Sequence, residues 1–426
     1  MRRVAVFCAV AQFGTLLVVL LPSPATAGFP PSEWVVGPRD KVALLTIEGR
    51  GGPKVVRKTL KVLDAKNAKA TFFLSARWLS FHRKLAKRIV RSGHVLGNRG
   101  YGKTDFTRMT TTRVRSSISR ATRFLQSVHA SPLPFLRPPR GRRDLGVLQV
   151  AGSMGYRSVR WTHHPVGGLA DRVTKAVLGH LRPGSIVSLD IWRKSHRHAL
   201  DDIIERIRKR DYGLRTVKVL TNVHAVRWDV TLRSGSSGSE IAYLDKALAA
   251  TSYPVGKADS SFDYATLQAV YAFEKTHKLA RDGVVTPAQM TLIAARPRPR
   301  PPKRSVKSFI DIDISRQVLF EVRKGRVFKT LPVSSGNEEN YTVDGKTYKA
   351  HTPRGSFVIE RKIPGWRVSR LGRLWYPSYF VGGYAIHGST SVPTAPASHG
   401  CVRLPMYATR PFYNRTPIGM HVYVHN

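Results

Sequence analysis

The residues best suited to covalent chemistry lie near the end of the chain, around one cysteine. Cys401 stands in the run Ala-Ser-His-Gly-Cys-Val-Arg over 397–403, and a further histidine, His387, precedes this run. A thiol attacks as its thiolate, so a base must remove its proton or a cation must lower its pKa. His387 and His399 are both candidate bases. The pattern predicts nucleophilic cysteine chemistry, because a structural cysteine more often lies in an apolar run.

The residues after Cys401 predict how its backbone is held. They read Val-Arg-Leu-Pro-Met-Tyr over 402–407, which favours a turn between a strand and a helix. The start of a helix lowers the pKa of a thiol that lies next to it. At such a turn the amides of Gly400 and Cys401 would be free to hold a developing oxyanion.

These residues resemble the motif of the L,D-transpeptidase catalytic (YkuD-like) family, in which a histidine and a loop precede Ser/Thr-His-Gly-Cys. The resemblance implies that Cys401 is the nucleophile and that His387 is the general base, oriented by the carbonyl of Gly388. It implies neither a cofactor nor a metal. The implied catalytic residues are Cys401, His387 and His399, and the implied oxyanion or substrate-binding residues are Gly400, Gly388, Ser398 and Arg403.

The resemblance also implies a reaction on peptidoglycan stem peptides. Cys401 would attack the carbonyl that links the third, diamino-acid residue of a stem to its terminal D-alanine, and a thioester would form as D-alanine leaves. An amine of a neighbouring stem would then resolve the thioester and cross-link two third-position residues. Water as the acceptor would make the protein an L,D-carboxypeptidase, and a protein lysine would make it an anchoring enzyme. A scaffold that only binds wall polymer is the rival hypothesis.

The first 27 residues predict a signal peptide. Two arginines precede an apolar run over 4–21, and the small residues Ala-Thr-Ala end the segment, as at a cleavage site. Cleavage would remove Cys8 and leave Cys401 without a partner for an internal disulfide. The alternative is an uncleaved anchor, because the apolar run is nearly long enough to span a bilayer. We therefore expect an exported protein of the cell wall or periplasm, which meets the membrane only through this segment.

Length and charge limit the architecture and the partners. The chain has 426 residues, 71 of them basic and 26 acidic, with a formal net charge of +45. A chain of this length exceeds one hydrophobic core and predicts two to four domains. So large a positive charge predicts a polyanionic partner, which for an exported protein means anionic wall polymers. The basic segments lack the interleaved aromatic residues of nucleic-acid readers, so we expect no nucleic acid.

Residues 39–222 predict an α/β domain, because short apolar runs alternate with amphipathic helical runs. The run 42–47 is a predicted buried strand and 55–64 a predicted helix. With the segments at 93–98 and 137–141, the domain resembles the polysaccharide deacetylase (NodB-homology) barrel. That family holds a divalent metal through one aspartate and two histidines, and a second aspartate acts as the base.

The residues at the metal-binding positions of that family are changed here. By the resemblance, Glu48 takes the place of the base, whereas a glycine and two cations replace the three metal ligands: Gly49, Arg99 (after Asn98) and Lys103. Asp190 takes the place of the late histidine in the family's Leu-His motif. Such a set cannot hold zinc in its usual geometry, so the barrel is predicted to be catalytically inactive. A different metal site at 163–164 and 196–198 is the alternative, although adjacent histidines on a strand point to opposite faces.

Three further segments complete the predicted multidomain organisation. Residues 229–295 show helical periodicity and resemble the three-helix peptidoglycan-binding domain. Residues 296–305 alternate arginine and proline, which predicts an extended linker that acts as a semi-rigid spacer. From 306 to 426 the apolar period becomes two, and this part is predicted to be the mostly-β L,D-transpeptidase domain.

Overall fold

The fold is described from a computed structural model. It describes residues 30–49, 52–128, 133–295, 298–301 and 304–426. The predicted signal peptide, Cys8 and part of the predicted linker lie outside these ranges. Among the described residues, none of the helices combines the length and the apolar character that crossing a membrane requires.

The N-terminal domain is an α/β barrel, as predicted. Its strands are β1 Ser32–Trp34, β2 Val42–Glu48, β3 Thr71–Phe73, β4 Val95–Leu96, β5 Phe135–Leu136, β6 Arg157–Val159, β7 Ser185–Asp190, β8 Gly213–Arg215 and β9 Val226–Arg227. Its helices are α1 Pro53–Ala65, α2 Ala76–Phe81, α3 Arg83–Arg91, α4 Thr111–Gln126, α5 Leu145–Ser153, α6 Ala170–Gly179 and α7 Lys194–Arg208.

Parallel pairing closes this barrel from β2 through β7. Strands β4, β3, β2 and β7 are neighbours in one sheet, and β5 and β6 in another. Bridges from Asn98 to Leu136 and from His163 to Val187 join the two sheets. Strand β2 is buried on both faces, which explains its continuous apolar sequence. The domain exceeds the predicted range of 39–222, because β1 pairs with both β6 and β9.

The helical module contains α8 Ser239–Ala249, α9 Tyr264–His277 and α10 Pro287–Ala295. Helix α10 begins with a capping box. The amide of Thr286 donates to Gln289 Oε1 at 2.9 Å, and the amide of Gln289 donates to Thr286 Oγ1 at 3.3 Å. Two backbone donors that the helix cannot satisfy are thereby paired.

The module packs directly against the C-terminal domain through α9. Lys275, which is 1% exposed, donates from Nζ to the carbonyl of Val333 at 3.1 Å. Buried Gln268 donates from Nε2 to the carbonyl of Val392 at 3.2 Å. Burial lowers the pKa of Lys275 to about 7. The two domains that the predicted linker 296–305 joins therefore share a buried polar interface.

The C-terminal domain is mostly β, as predicted. Its elements are β10 Phe309–Asp313, β11 Val318–Arg323, β12 Arg326–Pro332, β13 Asn340–Val343, β14 Lys346–Lys349, β15 Gly355–Val358, β16 Arg361–Lys362, β17 Trp366–Ser369, β18 Gly372–Val381, β19 Tyr384–Ser389, β20 Val402–Pro405, α11 Met406–Arg415 and β21 His421–His425. One sheet has the order β12-β11-β10-β21-β15, and the other has the order β16-β18-β19-β20 with β17 also on β18. Their apolar faces share one core.

Candidate active site

A cavity of about 350 Å³ in the C-terminal domain gathers most of the predicted site residues. Five of them line it: His387, Ser398, His399, Cys401 and Arg403. The remaining two, Gly388 and Gly400, do not contribute to its lining. The cavity opens between the β19–β20 pair and the hairpins β13–β14 and β17–β18.

The pairing of β19 with β20 explains why the histidine and the cysteine meet. The two strands are parallel, and His387 is the partner of Arg403. Side chains two residues apart along a strand share a face, so Cys401 and Arg403 point to the same side as His387. The loop between the two strands thus brings the His387 imidazole and the Cys401 thiol to one surface.

His387 is held as a neutral base. It is 7% exposed, and its Nδ1 lies 2.9 Å from the carbonyl oxygen of Gly388. A carbonyl only accepts, so Nδ1 carries the proton and Nε2 is left as the acceptor. Burial, reinforced by the charge of Arg403, lowers the pKa of His387 to about 4. The imidazole is therefore uncharged at neutral pH and able to take a proton.

Cys401 is half-buried, and its thiol rests in the protonated form. Burial raises the pKa of the thiol, although an amide hydrogen bond from Ala385 and the charge of Arg403 oppose that rise. Its Sγ lies 3.9 Å from the carbonyl oxygen of Gly383. A thiol with a raised pKa reacts slowly by itself, so the site depends on a base to form the thiolate.

The turn that carries Cys401 is fixed by hydrogen bonds. Ser398 Oγ donates to the carbonyl of Cys401 and accepts from the amide of Gly400 at 3.0 Å. Gly400 adopts a φ of +131°, and a β-carbon there would lie 2.7 Å from the Tyr384 ring. Only glycine fits this backbone without strain.

Two expectations about this turn are wrong. The Gly400 amide is not free for an oxyanion, because Ser398 already accepts its hydrogen bond. Cys401 also does not sit at a strand-to-helix turn, since the strand β20 follows it and α11 begins only at Met406. The helix is therefore too far along the chain to lower the thiol pKa through its first turn.

His399 and Arg403 occupy different environments at the cavity. His399 is exposed, and its ring meets the ring of Tyr341 edge-on at a centroid distance of 4.7 Å. Arg403 is half-buried, and burial lowers the pKa of its guanidinium. The exposed histidine is placed at the rim, whereas the arginine lies beside Cys401 and His387 in the lining.

Sequence reasoning missed the two hairpins that complete the cavity. They contribute Tyr341, Arg370 and Arg373 to its lining. An ion pair joins the two hairpin tips, in which Arg370 Nη1 lies 2.9 Å from Asp344 Oδ2. The turn sequences Asp344-Gly345 and Leu371-Gly372 between alternating residues could have predicted the hairpins, but not their position over Cys401.

A buried ion pair lies at the base position of the N-terminal barrel. Arg137 Nη1 lies 2.9 Å from Glu48 Oε1 and 2.7 Å from Thr46 Oγ1, and both charged side chains are buried. Burial alone would raise the pKa of Glu48, but the charge of Arg137 and a hydrogen bond from Ser188 outweigh it and lower that pKa. The pair satisfies Glu48 internally.

The neighbouring positions do not fit a metal. Gly49 adopts a φ of +120°, and a β-carbon there would lie 2.3 Å from Asp190 Oδ1. The Asn98 amide is engaged, because its nitrogen donates to the carbonyl of Ile118 at 3.2 Å and its oxygen accepts from the amide of Gly100. Among the residues that the structure describes, there is no group of three or more histidine, cysteine, aspartate or glutamate side chains that could hold a metal ion.

Comparison with known families assigns all three folded parts of the chain. Residues 36–159 match the polysaccharide deacetylase family, and 237–293 match a peptidoglycan binding domain. Residues 307–424 match the L,D-transpeptidase catalytic domain. The chain carries an L,D-transpeptidase domain. The peptidoglycan-binding and L,D-transpeptidase matches indicate a cell-wall-associated protein whose partner is peptidoglycan.

Individual relatives match either end of the chain. An L,D-transpeptidase structure from Xylanimonas cellulosilytica is 42% identical, over 46% of this chain and 97% of that one, with a TM-score of 0.44. A peptidoglycan-N-acetylglucosamine deacetylase of Bacillus cereus is 29% identical, over 40% of this chain and 64% of its own length. A CE4 family pseudoenzyme from Bacillus anthracis is 24% identical, over 44% and 68%, with a TM-score of 0.41.

The metal ligands that the N-terminal barrel lacks are not expected to be restored by a substitution at Gly49. Gly49→Asp should lower the free energy of unfolding by about 1–3 kcal/mol, because its φ is positive and Asp190 fills the space. Gly155→Asp is the matched control, since its φ is also positive, at +74°, and no atom of the described residues lies within 4 Å of a β-carbon there. Thermal unfolding of both variants measures the difference. Equal stability would contradict the role given to Asp190.

The same crowding predicts that metal binding is not recovered. The triple variant Gly49→Asp, Arg99→His, Lys103→His should hold far less than one zinc per chain after dialysis, measured by elemental analysis. A side chain at position 49 would overlap the Asp190 carboxylate, and Glu48 is already paired with Arg137. Stoichiometric zinc in the triple variant, or in the unsubstituted protein, would show that the barrel still forms a metal site.

Proposed function

We propose that the protein is an exported peptidoglycan L,D-transpeptidase that cross-links third-position residues of stem peptides. The observation that carries the proposal is the shared face of β19 and β20, where Cys401 and the neutral His387 open into one cavity. A buried base with a low pKa beside a thiol with a raised pKa suits a reaction in which the proton moves only as the nucleophile attacks. We assign Cys401 as the nucleophile and His387 as the general base.

The first half-reaction follows from these roles. Nε2 of His387 accepts the thiol proton as Sγ of Cys401 attacks the carbonyl between the third residue and D-alanine. The tetrahedral oxyanion collapses, the C–N bond breaks, and His387 returns the proton to the leaving amine. The Cys401 amide is the remaining backbone donor for the oxyanion, with His399 at the rim beside it. The product is a thioester on Cys401.

The cavity lining suits an anionic donor peptide. Arg373 and Arg403 line it, together with Arg370, whose charge is already paired with Asp344, and none of the described residues in the lining is acidic. Arginine pairs with carboxylates through two parallel hydrogen bonds. We assign Arg403 to the stem peptide, and Ser398 and Gly400 to the shape of the turn. Gly388 orients His387 rather than touching the substrate.

The test is intact-protein mass spectrometry after incubation with a stem tetrapeptide, either free or attached to its disaccharide. A tripeptidyl adduct on the protein, released D-alanine and a cross-linked product are expected. Release of the tripeptide alone, in the presence of excess acceptor stem, would instead identify an L,D-carboxypeptidase. An unchanged protein mass with every donor peptide would favour the rival hypothesis, a scaffold that binds wall polymer without catalysis.

The other domains support the reaction by binding. We propose that residues 229–295 hold the glycan of peptidoglycan and that the barrel over 39–222 has no deacetylase activity. Helix α9 buries Lys275 and Gln268 against the C-terminal domain. Deletion of the module would therefore leave the carbonyls that accept from these side chains without their donors and destabilise the C-terminal domain. Substitutions on exposed surfaces of the full chain are therefore the informative variants.

The net charge of +45 predicts a second partner, the anionic polymers of the wall. Retention on purified sacculi should weaken steeply as salt rises, since charges more than about 10 Å apart are screened at 0.1 M salt. Sedimentation of the full chain across a salt series, on sacculi with and without these polymers, measures this. Retention that is flat with salt and unchanged by stripping the polymers would refute the electrostatic partner.

A further inference from the structure

A cationic cavity lies on the N-terminal barrel, away from the cysteine site. It has a volume of about 240 Å³ and lies between α4 and the loop before it. Its lining residues are Tyr101, Gly102, Thr104, Met109, Arg113, Ser116, Ser117 and Arg120. None of these described residues is acidic, and Lys103 stands within the same loop.

The geometry of α4 explains how the donors converge. Arg113, Ser116, Ser117 and Arg120 are spaced three, four and seven residues along the helix, so they share one face. The sequence of α4 contains four arginines and no aspartate or glutamate. Within the part of the chain that the structure describes, neither Arg113 nor Arg120 takes part in an ion pair. Their charges are available to a ligand.

One of the two guanidinium groups is held in place. The guanidinium carbon of Arg120 lies 3.5 Å from the centroid of the Tyr101 ring. Such stacking fixes the plane of an arginine while its N–H groups stay available to hydrogen-bond acceptors. The amide of Tyr101 donates to Ser117 Oγ at 2.9 Å, which ties the loop to the helix. Because that oxygen accepts, its own proton is left to donate into the cavity.

We propose that this cavity binds a phosphate group of a phosphodiester polymer. Two guanidinium groups and the hydroxyls of Ser116, Ser117 and Thr104 supply more donors than the roughly four lone-pair sites of a carboxylate can accept. A phosphodiester has two ester oxygens in addition to its two charged non-bridging oxygens, so it offers acceptors to more of these donors. The absence of a carboxylate among the described lining residues removes competition for the arginines. The inference gives the proposed anionic wall partner a defined site and does not depend on the transpeptidase reaction.

Calorimetric titration of the full chain with an oligomer of glycerol phosphate tests the site. The double variant Arg113→Gln, Arg120→Gln should weaken binding about tenfold or more, because it removes charged hydrogen bonds. The matched control is Arg57→Gln, Arg123→Gln, which removes the same charge from exposed positions of α1 and α4 outside the cavity. The control should change the affinity less than about twofold.

A neutral substitution separates the site from the overall charge. Ser116→Ala should weaken binding of the oligomer several-fold while leaving the net charge unchanged. Both arginine double variants should unfold at the same temperature as the unsubstituted protein. Equal losses in the two double variants would overturn the site while leaving the anionic partner in place. Equal affinity for an oligoglutamate of the same charge would overturn the choice of phosphate. A protein that binds no glycerol phosphate oligomer would overturn both.

Discussion

Cys401→Ala is expected to abolish acyl-enzyme formation and cross-linking completely. Cys401 is the one free cysteine among the described residues, and it lines the same cavity as His387. No other group in that lining combines nucleophilicity with a base on the same strand face. The measurement is the intact mass of the variant after incubation with a stem tetrapeptide, with cross-linked product followed by chromatography.

The matched control for this variant is Ser389→Ala, which changes another residue of the cavity lining. It should form the adduct, and any change in its rate should be small, because Ser389 is given no part in the proton transfer. The thermal unfolding of both variants should match that of the unsubstituted protein, since the Cys401 side chain is only half-buried. An adduct that persists in Cys401→Ala would place the nucleophile elsewhere.

The elements of the fold were predictable where local chemistry decides them. The continuous apolar run of β2 indicates a strand buried on both faces, and the residues Thr286 and Gln289 indicate the start of α10. In each case, the information lies within a few residues of the feature.

The features that sequence reasoning missed depend on contacts between distant residues. A lysine near the end of a helix predicts a solvent-exposed side chain, yet Lys275 is buried because its ammonium group reaches the Val333 carbonyl. The motif predicts a free Gly400 amide, because its sequence does not show that this amide donates to Ser398 Oγ. The position of the β17–β18 hairpin over Cys401 likewise follows from its packing, not from its own sequence.

The same contacts link the module to the proposed site. Val333, which accepts from Lys275, precedes Ser334 and Ser335. Ser334 exchanges backbone hydrogen bonds with Arg403, and the carbonyl of Ser335 accepts from the amide of Ser398 at 2.9 Å. The helix α9 therefore supports the strand segment against which the cysteine turn is built. Hydrogen bonds thus run from α9 through residues 333–335 to the turn that carries Cys401.

His387→Ala is expected to slow acylation of the protein roughly a hundredfold or more, as loss of a general base does. The Nδ1 atom of the imidazole is held 2.9 Å from the Gly388 carbonyl oxygen, so Nε2 is left as the acceptor, and His387 lines the cavity. His399→Ala is the matched control, because that histidine is exposed at the rim. Its effect should be smaller than that of His387→Ala. Equal acylation rates for His387→Ala and the unsubstituted protein would transfer the role of base to His399.

The pH dependence of acylation separates the base from a merely structural role. Burial lowers the pKa of His387 to about 4, so its proton-accepting form is present above that pH and is lost below it. The acylation rate should therefore hold from neutral pH down to about pH 4 before it falls. In His387→Ala only the thiolate reacts, and burial raises the pKa of Cys401. The rate of that variant should instead climb with pH through the neutral range. Parallel pH profiles for the two proteins would show that His387 holds the site together without accepting the proton.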